Sequence, residues 1–325
     1  MRKLILAATV ATLSIGANVA TAETLQMKTL PANLPPAVIM ATFANIVSSN
    51  VEDVTIEVAA GGAATAHMME VGRGEVEMSM TSPVVWNLMN AGARMYANQE
   101  DAPALSENVQ LLMWYPYGQY HFTVRDSSAI QTLDDLEGAT VFLGPTGGGA
   151  WNGAHGWIES TTGLSAREGD YEAFDGNWVT GFQAFLDGTI DMYVGGCIDP
   201  CGPFLQLSET EAIRFVGPED NMGEAVDQFL GAFRFHDTIE AGLYEGQANE
   251  SAVNSWNTAV GIAVNADISE ETVYNMTKAF WENLDSVTST APWASALDIN
   301  FAAGGQGGIS LHPGAARYYE EVGAL

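Results

Sequence analysis

The feature that most constrains the fold is an alternation of strand-like and helical segments joined by short turns of small residues. Residues 23–30 have the character of a short strand, 54–60 alternate apolar and polar side chains, and 76–80 form a third such run. Each run is followed by a stretch with apolar residues at helical spacing. This order predicts an α/β fold with a parallel sheet covered by helices.

An aromatic segment at 114–120 interrupts the alternation, which then resumes. A second block of strands and helices runs to about residue 250, and 260–264 has the pattern of a strand that leads back. We therefore predict two α/β lobes joined by two crossing segments. The first lobe comprises 23–118 and 251–325, and the second lobe, 119–250, is inserted into it.

The first 22 residues have the three parts of a secretory signal. Arg2 and Lys3 supply positive charge, 4–17 are apolar, and Ala20-Thr21-Ala22 carries small residues at the positions that a signal peptidase reads. The apolar part is shorter than the about 20 residues that a membrane span requires. We expect residues 1–22 to be removed and the protein to be periplasmic.

Acidic residues greatly outnumber basic ones. Removal of the signal leaves nine Lys and Arg against 40 Asp and Glu, which is a formal charge of −31. Nucleic acid and anionic lipid both require a basic face, so neither is an expected partner. The acids are scattered along the chain, as is typical of a solvated surface, and we expect a monomer.

The turns between strands and helices carry the residues best suited to binding. The run from Gly144 to Ala150 lacks the Lys and Ser or Thr of a P-loop, and Asn152 stands where a dinucleotide fingerprint has its third glycine. Such turns can still offer backbone amides to an anion at a helix start, although ordinary turn chemistry is the alternative. In open α/β sheets they lie where ligands bind. The candidate binding residues in these turns are Gly61, Gly62, Ala64, Thr65, Thr81, Ser82, Thr146, Gly147, Gly148, Gly149 and Ala150.

Aromatic side chains near predicted loops or crossings are candidates to line a pocket: Tyr117, Trp151, Trp178 and Trp256. The histidines show no metal-ligand pairing at i, i+4, and no Gly-x-Ser-x-Gly elbow occurs. We therefore expect no catalytic centre, metal or cofactor. Cys197 and Cys201 favour a disulfide over two free thiols in an oxidising compartment.

Three passages resemble the TAXI solute receptors of TRAP transporters. They are 133–141 with the glycine run that follows, 184–191, and Leu-His-Pro-Gly-Ala-Ala-Arg-Tyr-Tyr at 311–319, which is the most specific. The resemblance implies a type II periplasmic-binding-protein fold, whose two lobes close about a hinge on a solute in the cleft. It also implies delivery to a TRAP membrane permease and, as the ligand, a small organic acid: amino-acid-like such as glutamate, dicarboxylate-like or aromatic.

The resemblance carries the family's site onto particular turns of this chain. The first-lobe site falls at 33–36 with Asn33, at 61–65 and at Thr81-Ser82, and the second-lobe site falls at 146–150 and at Gly195 and Gly196 after Val194. We hypothesise that backbone amides in these turns hold an anionic group, while hydroxyls and aromatic rings select the rest of the ligand. Because the surface charge repels an anion, we expect affinity to rise with added salt.

Two alternatives stay open. The first is the solute receptor of an ABC importer, because such receptors share this fold. The second is a periplasmic enzyme on the same fold, which would require His155, Cys197 or Asp199 to be paired with a base in the cleft.

Overall fold

The computed structural model describes residues 23–32, 34–218, 223–231, 234–304 and 306–325. The expected signal at 1–22 and the candidate residue Asn33 lie outside these ranges. The strands are β1 (Glu23–Thr29), β2 (Val54–Ala60), β3 (Met78–Thr81), β4 (Val109–Pro116), β5 (Gln119–Arg125), β6 (Thr140–Phe142), β7 (Glu172–Ala173), β8 (Met192–Cys197), β9 (Ile213–Phe215), β10 (Arg234–Ile239) and β11 (Val253–Asn265).

Helices cover both sheets, because the apolar residues of each helix recur on the side that packs against the strands. None of the helices in the described ranges has both the length and the apolar character needed to cross a membrane. The α-helices are α1 (Pro35–Asn50), α2 (Ala64–Gly72), α3 (Pro83–Asn90), α4 (Ala102–Ser106), α5 (Gly149–Thr162), α6 (Trp178–Leu186), α7 (Gly202–Thr210), α8 (Glu224–Leu230), α9 (Glu270–Asn283), α10 (Ile299–Ala303) and α11 (Pro313–Glu321).

The strands form two mixed sheets. In the first, the order is β10-β11-β3-β1-β2, and β4 also pairs with β11. Strand β1 runs parallel to β2 and β3, whereas β11 runs antiparallel to β3, β4 and β10. The prediction of a parallel sheet is therefore correct for β1 to β3 and wrong for the whole sheet, because the long return strand β11 enters from the opposite direction.

The second sheet has the order β7-β6-β8-β5-β9. Strand β6 is parallel to β7 and β8, and β5 is antiparallel to β8 and β9. The two sheets with their helices constitute the predicted two-lobed α/β fold.

The chain passes from the first sheet to the second between β4 and β5. Gly118 stands at this crossing with φ +104°, and a Cβ atom there would lie 1.9 Å from the carbonyl carbon of Cys197. The N–H of Gly118 donates a 3.0 Å hydrogen bond to Oδ1 of Asn257 in β11. Only glycine fits this position, since it has neither a Cβ atom nor a penalty for positive φ.

The chain passes between the two sheets more often than the two predicted crossings. Strand β10 lies within 119–250 but pairs with β11 of the first sheet. The chain then turns back, because Gln247 forms a bridge with Ile213 and the Asn249 side chain hydrogen-bonds to both backbone groups of Phe215. The lobe boundaries after residues 118 and 250 stay a prediction.

The C-terminal helix α11 docks on α9. His312 precedes α11, where its Nδ1 accepts the N–H of Gly314 at 3.2 Å and its Nε2 contacts the carbonyl oxygen of Ile268 at 3.1 Å. Arg317 forms ion pairs with Glu270 and Glu271 at 3.0 and 2.9 Å. The passage 311–319 therefore attaches the C-terminal helix to the first lobe.

Candidate ligand-binding site

A cavity of about 580 Å³ lies between the turns of the two sheets. Its size is within the range of about 300 to 1,000 Å³ that is usual for small-molecule sites. The first lobe contributes 62–65 with Ser82, Val84 and Val85, and the second contributes 148–150 and 177–180. Strand β11 supplies the floor with Trp256, Thr258 and Val260.

Four helices of the described chain begin at this cavity: α2, α3, α5 and α6. The N-terminal end of a helix carries a partial positive charge and unsatisfied backbone N–H groups. The cavity is therefore surrounded by positive ends of helix dipoles, two from each lobe.

The four helix starts differ in how their amides are satisfied. Ser82 Oγ accepts the N–H of Val85 at the start of α3, and Asn177 Oδ1 accepts the N–H groups of Val179 and Thr180 at the start of α6. No side chain of the described residues caps α2, which follows Ala63, or α5, which follows Gly148. The N–H of Ala66 donates to the carbonyl oxygen of Ala63 at 3.0 Å, and the N–H groups of Ala64 and Thr65 in α2 and of Gly149 and Ala150 in α5 are the ones that can serve a ligand.

Arg234 brings a full positive charge to the cavity, and sequence reasoning missed it. It is the one cationic side chain among the described lining residues. Its Nη1 donates to the carbonyl oxygen of Phe229 at 2.8 Å, and its guanidinium carbon lies 4.5 Å from the centroid of the Phe229 ring.

Burial lowers the pKa of Arg234, the neighbouring Tyr120 raises it, and a guanidinium keeps its proton at physiological pH. One sequence feature could have pointed to Arg234: basic residues are rare, since the whole chain has 11 Lys and Arg.

Aromatic rings form one wall of the cavity. Tyr120 stacks on Trp256 with ring centroids 3.9 Å apart, and Tyr117 lies 5.4 Å from Tyr120. Trp178 packs edge-on against Phe142 at 5.7 Å. Burial raises the pKa of Tyr117 and of Tyr120, so both hydroxyls are neutral at physiological pH.

The cavity brings together many of the residues singled out from the sequence. Their part in binding stays a prediction, although both predicted glycine turns reach the same space from opposite lobes. The predicted residues that line the cavity are Gly62, Ala64, Thr65, Ser82, Tyr117, Gly148, Gly149, Ala150, Trp178 and Trp256. Polar lining residues that the sequence analysis did not name are Tyr120, Asn177, Thr180, Arg234 and Thr258.

Gly195 and Gly196 do not line the cavity. Both were predicted to lie in a turn after Val194, but β8 continues to Cys197, so both lie within a buried strand. A Cβ atom on Gly196 would lie 2.3 Å from the Tyr117 ring. Gly196 therefore makes room for an aromatic residue of the wall and does not face the ligand space itself.

The other predicted residues outside the lining have different surroundings. Gly61 precedes the lining turn, and Thr81 is buried in β3. Thr146 and Gly147 are exposed, and the Thr146 hydroxyl donates to Asp175 at 2.8 Å. Trp151 is buried and stacks on His155 at 5.0 Å.

Cys197 and Cys201 form a disulfide beside a buried polar cluster. His121 Nε2 lies 2.7 Å from Asp199 Oδ1, and the Tyr244 hydroxyl donates to the same oxygen. The Cys197 sulfur lies near His121 and Asp199 in an arrangement that resembles a metal site, but this sulfur is bonded to Cys201 and is not a free thiolate.

The paired groups that could support catalysis do not line the cavity. His155 is fully buried with its Nε2 3.1 Å from Ser165 Oγ, and the Asp199–His121 pair packs against Phe204. Neither pair is among the described lining residues. An enzyme on this fold would require a reactive side chain paired with a base in the cleft. No such pair occurs among the described lining residues.

The chain matches the model of the NMT1-like family over residues 34–323. Its fold is similar to that of a protein from Bordetella bronchiseptica RB50, with a TM-score of 0.52, 13% identity, and coverage of 94% of this chain and 82% of that chain.

Two further structures have TM-scores of 0.47 and 12% identity, and each covers 92% of this chain. They are the periplasmic aliphatic sulphonate binding protein SsuA from Escherichia coli, of which 78% is covered, and a TRAP periplasmic solute binding protein from Sulfitobacter sp. NAS-14.1 with bound β-D-galacturonate, of which 94% is covered.

Proposed function

We propose that this chain, which belongs to the NMT1-like family, is a periplasmic solute-binding protein that captures a small organic acid between its two lobes. The observation that carries the proposal is the position of Arg234 in a cavity onto which the uncapped starts of α2 and α5 open. A carboxylate there can accept hydrogen bonds from a guanidinium and from backbone amides.

The site is divided between the lobes in a way that suits capture by closure. Helix α2 belongs to the first lobe, 23–118 with 251–325, and α5 to the second, 119–250. A ligand that contacts both helix starts stabilises the closed conformation of the two lobes. The stabilisation equals the difference between its binding free energies for the closed and the open conformation. No covalent step is required, and the protein acts as a receptor without catalysis.

The captured solute is then delivered to a TRAP-type permease. The three passages that resemble TAXI receptors, at 133–141, 184–191 and 311–319, support this choice over an ABC importer. Uptake into vesicles with the reconstituted permease distinguishes the two: a TRAP system responds to an ion gradient, whereas an ABC system requires ATP. Uptake driven by ATP alone would overturn delivery to a TRAP permease and leave capture intact.

Calorimetry against amino, keto, aromatic and dicarboxylic acids, with the uncharged amide of each, tests the capture proposal. We expect at least one of the acids to bind, and each acid that binds to bind more tightly than its uncharged amide. Arg234→Met should weaken binding by about 10- to 100-fold, because a hydrogen bond to a charged group contributes about 1.5 to 3 kcal/mol. Arg73→Met is the control, since Arg73 pairs with Asp101 on the surface. Folded protein that binds none of the acids would contradict the proposal.

A further inference from the structure

We infer, on the basis of the proposed function, that the ligand is a monocarboxylate with an aromatic or branched apolar body and no ammonium group. The charges of the cavity support this identification. Among the described lining residues, Arg234 is cationic and none is Asp or Glu. The ammonium group of an α-amino acid would find no carboxylate partner among the described lining residues, and an unpaired buried charge is strongly disfavoured.

The helix starts add a second argument against an ammonium group. Residues at the N-terminal ends of helices α2, α3, α5 and α6 all line the cavity. These ends favour anions and disfavour cations. The feature that attracts the carboxylate of an amino acid therefore repels its ammonium group, and a carboxylic acid without that group receives only the attraction.

The rest of the lining determines the body of the ligand. Tyr117, Tyr120 and Trp256 form an aromatic wall in which Tyr120 stacks on Trp256, and Trp178 adds a ring from the second lobe. Met80, Val85 and Val260 contribute apolar side chains. A flat ring or a branched chain buries apolar surface against these groups, whereas a second carboxylate would have no second cationic side chain among the described lining residues.

Matched pairs of ligands test the inference on the wild-type protein. We would measure calorimetric affinities for 3-phenylpropionate against L-phenylalanine, and for 4-methylpentanoate against L-leucine, because each pair differs only in the ammonium group. Succinate serves as the dicarboxylate. The ammonium-free acids should bind about tenfold or more tightly than their partners, since an uncompensated charge is removed.

The outcomes separate this inference from the proposed function. Binding of the amino acids or succinate at least as tight as that of the monocarboxylates would overturn the inference, while capture of an organic acid would stand. Absence of binding by every acid, with a cooperative unfolding transition retained, would overturn the proposed function itself.

A pair of tryptophan variants tests the apolar body of the ligand separately. Trp178→Leu removes a lining ring and keeps an apolar side chain, and Trp293→Leu makes the same change at a half-buried position outside the lining. Affinity for 3-phenylpropionate should fall by about threefold to tenfold in the first variant, as expected for one aromatic contact, and should not change in the second. Equal affinities in both variants would contradict an aromatic ligand at Trp178.

Discussion

The guanidinium carbon of Arg234 lies 5.8 Å from the centroid of the Trp256 ring and also covers the Phe229 ring. A planar guanidinium suits this stacked position, and an ammonium group on a flexible stem does not. We therefore predict that Arg234→Lys weakens binding of the preferred acid by about tenfold and Arg234→Met by about 100-fold. Calorimetry measures both values. Wild-type affinity in both variants would show that Arg234 does not contact the acid, and equal but weakened affinities would show that a positive charge without the planar group contributes nothing.

Salt dependence tests the balance between the local cation and the whole surface. The chain carries 40 acidic residues against 11 basic ones, and their long-range repulsion of an anion is screened beyond about 10 Å at 0.1 M salt. The contact with half-buried Arg234 is screened less. We predict that affinity for the acid rises about threefold between about 20 and about 300 mM NaCl.

The uncharged amide of the acid is the control for the salt measurement, because general effects of salt on apolar burial should act on it equally. The affinity of the acid could instead fall with added salt while the affinity of the amide does not change. Attraction of the acid by Arg234 and the helix starts would then be stronger than its repulsion by the surface charge.

Local patterns correctly predicted strands whose alternation of apolar and polar residues does not depend on distant parts of the chain. The predicted strands at 23–30, 54–60 and 76–80 correspond to β1, β2 and β3. The direction of β11 and the position of Gly196 inside β8 depend on strand pairing between distant segments. Neither can be derived from local alternation alone.

The same distinction applies to the site. Glycine-rich turns at helix starts are visible in a sequence, so Gly62 and Gly149 could be predicted as candidates. Arg234 could not, because pairing of β10 with β11 places it beside Trp256, and a lone Arg in a strand has no local signature. Local patterns could therefore indicate backbone amides as candidates for an anion site, but not the cationic side chain that lines the same cavity.

Gly118 tests the crossing between the sheets. A Cβ atom there would lie within about 2 Å of backbone atoms of Cys197 and Ile198, in addition to the strain of positive φ. We predict that Gly118→Ala lowers the free energy of unfolding by more than about 3 kcal/mol. Gly138→Ala is the matched control, because Gly138 also has positive φ but an open surrounding, and it should cost about 1 kcal/mol. Similar urea midpoints for both variants would contradict the packing argument.

The disulfide should contribute to stability and not to binding. It closes a loop of five residues, for which chain entropy gives about 2 kcal/mol, and neither cysteine lines the cavity. Simultaneous Cys197→Ala and Cys201→Ala substitutions should lower the free energy of unfolding by about that amount, as measured in urea, and leave ligand affinity within about twofold. A large loss of affinity with the fold retained would place the disulfide in the binding mechanism.

His312 should make the protein sensitive to acid. Burial is the main cause that lowers the pKa of His312 below its ordinary value of 6.5, although hydrogen bonds to backbone carbonyls raise it. The unfolded chain therefore binds a proton more readily, and the stabilisation from neutral His312 is present above pH 6.5 and is lost as pH falls below it. Protonation would also direct an Nδ1–H toward the N–H of Gly314, which now donates to Nδ1.

His312→Asn isolates this contribution, because Asn keeps an acceptor at the start of α11 and does not titrate. Between pH 8 and pH 5 we predict that the free energy of unfolding falls by about 1 kcal/mol more in the wild type than in the variant, since one proton changes stability by about 1.4 kcal/mol per pH unit at most. Burial also lowers the pKa of His67 and of His155, but both residues are present in the two proteins, so their effects cancel in the difference. Parallel pH profiles from urea unfolding would mean that His312 takes up its proton equally in the folded and unfolded chains, and the acid sensitivity would then have to be assigned to other groups.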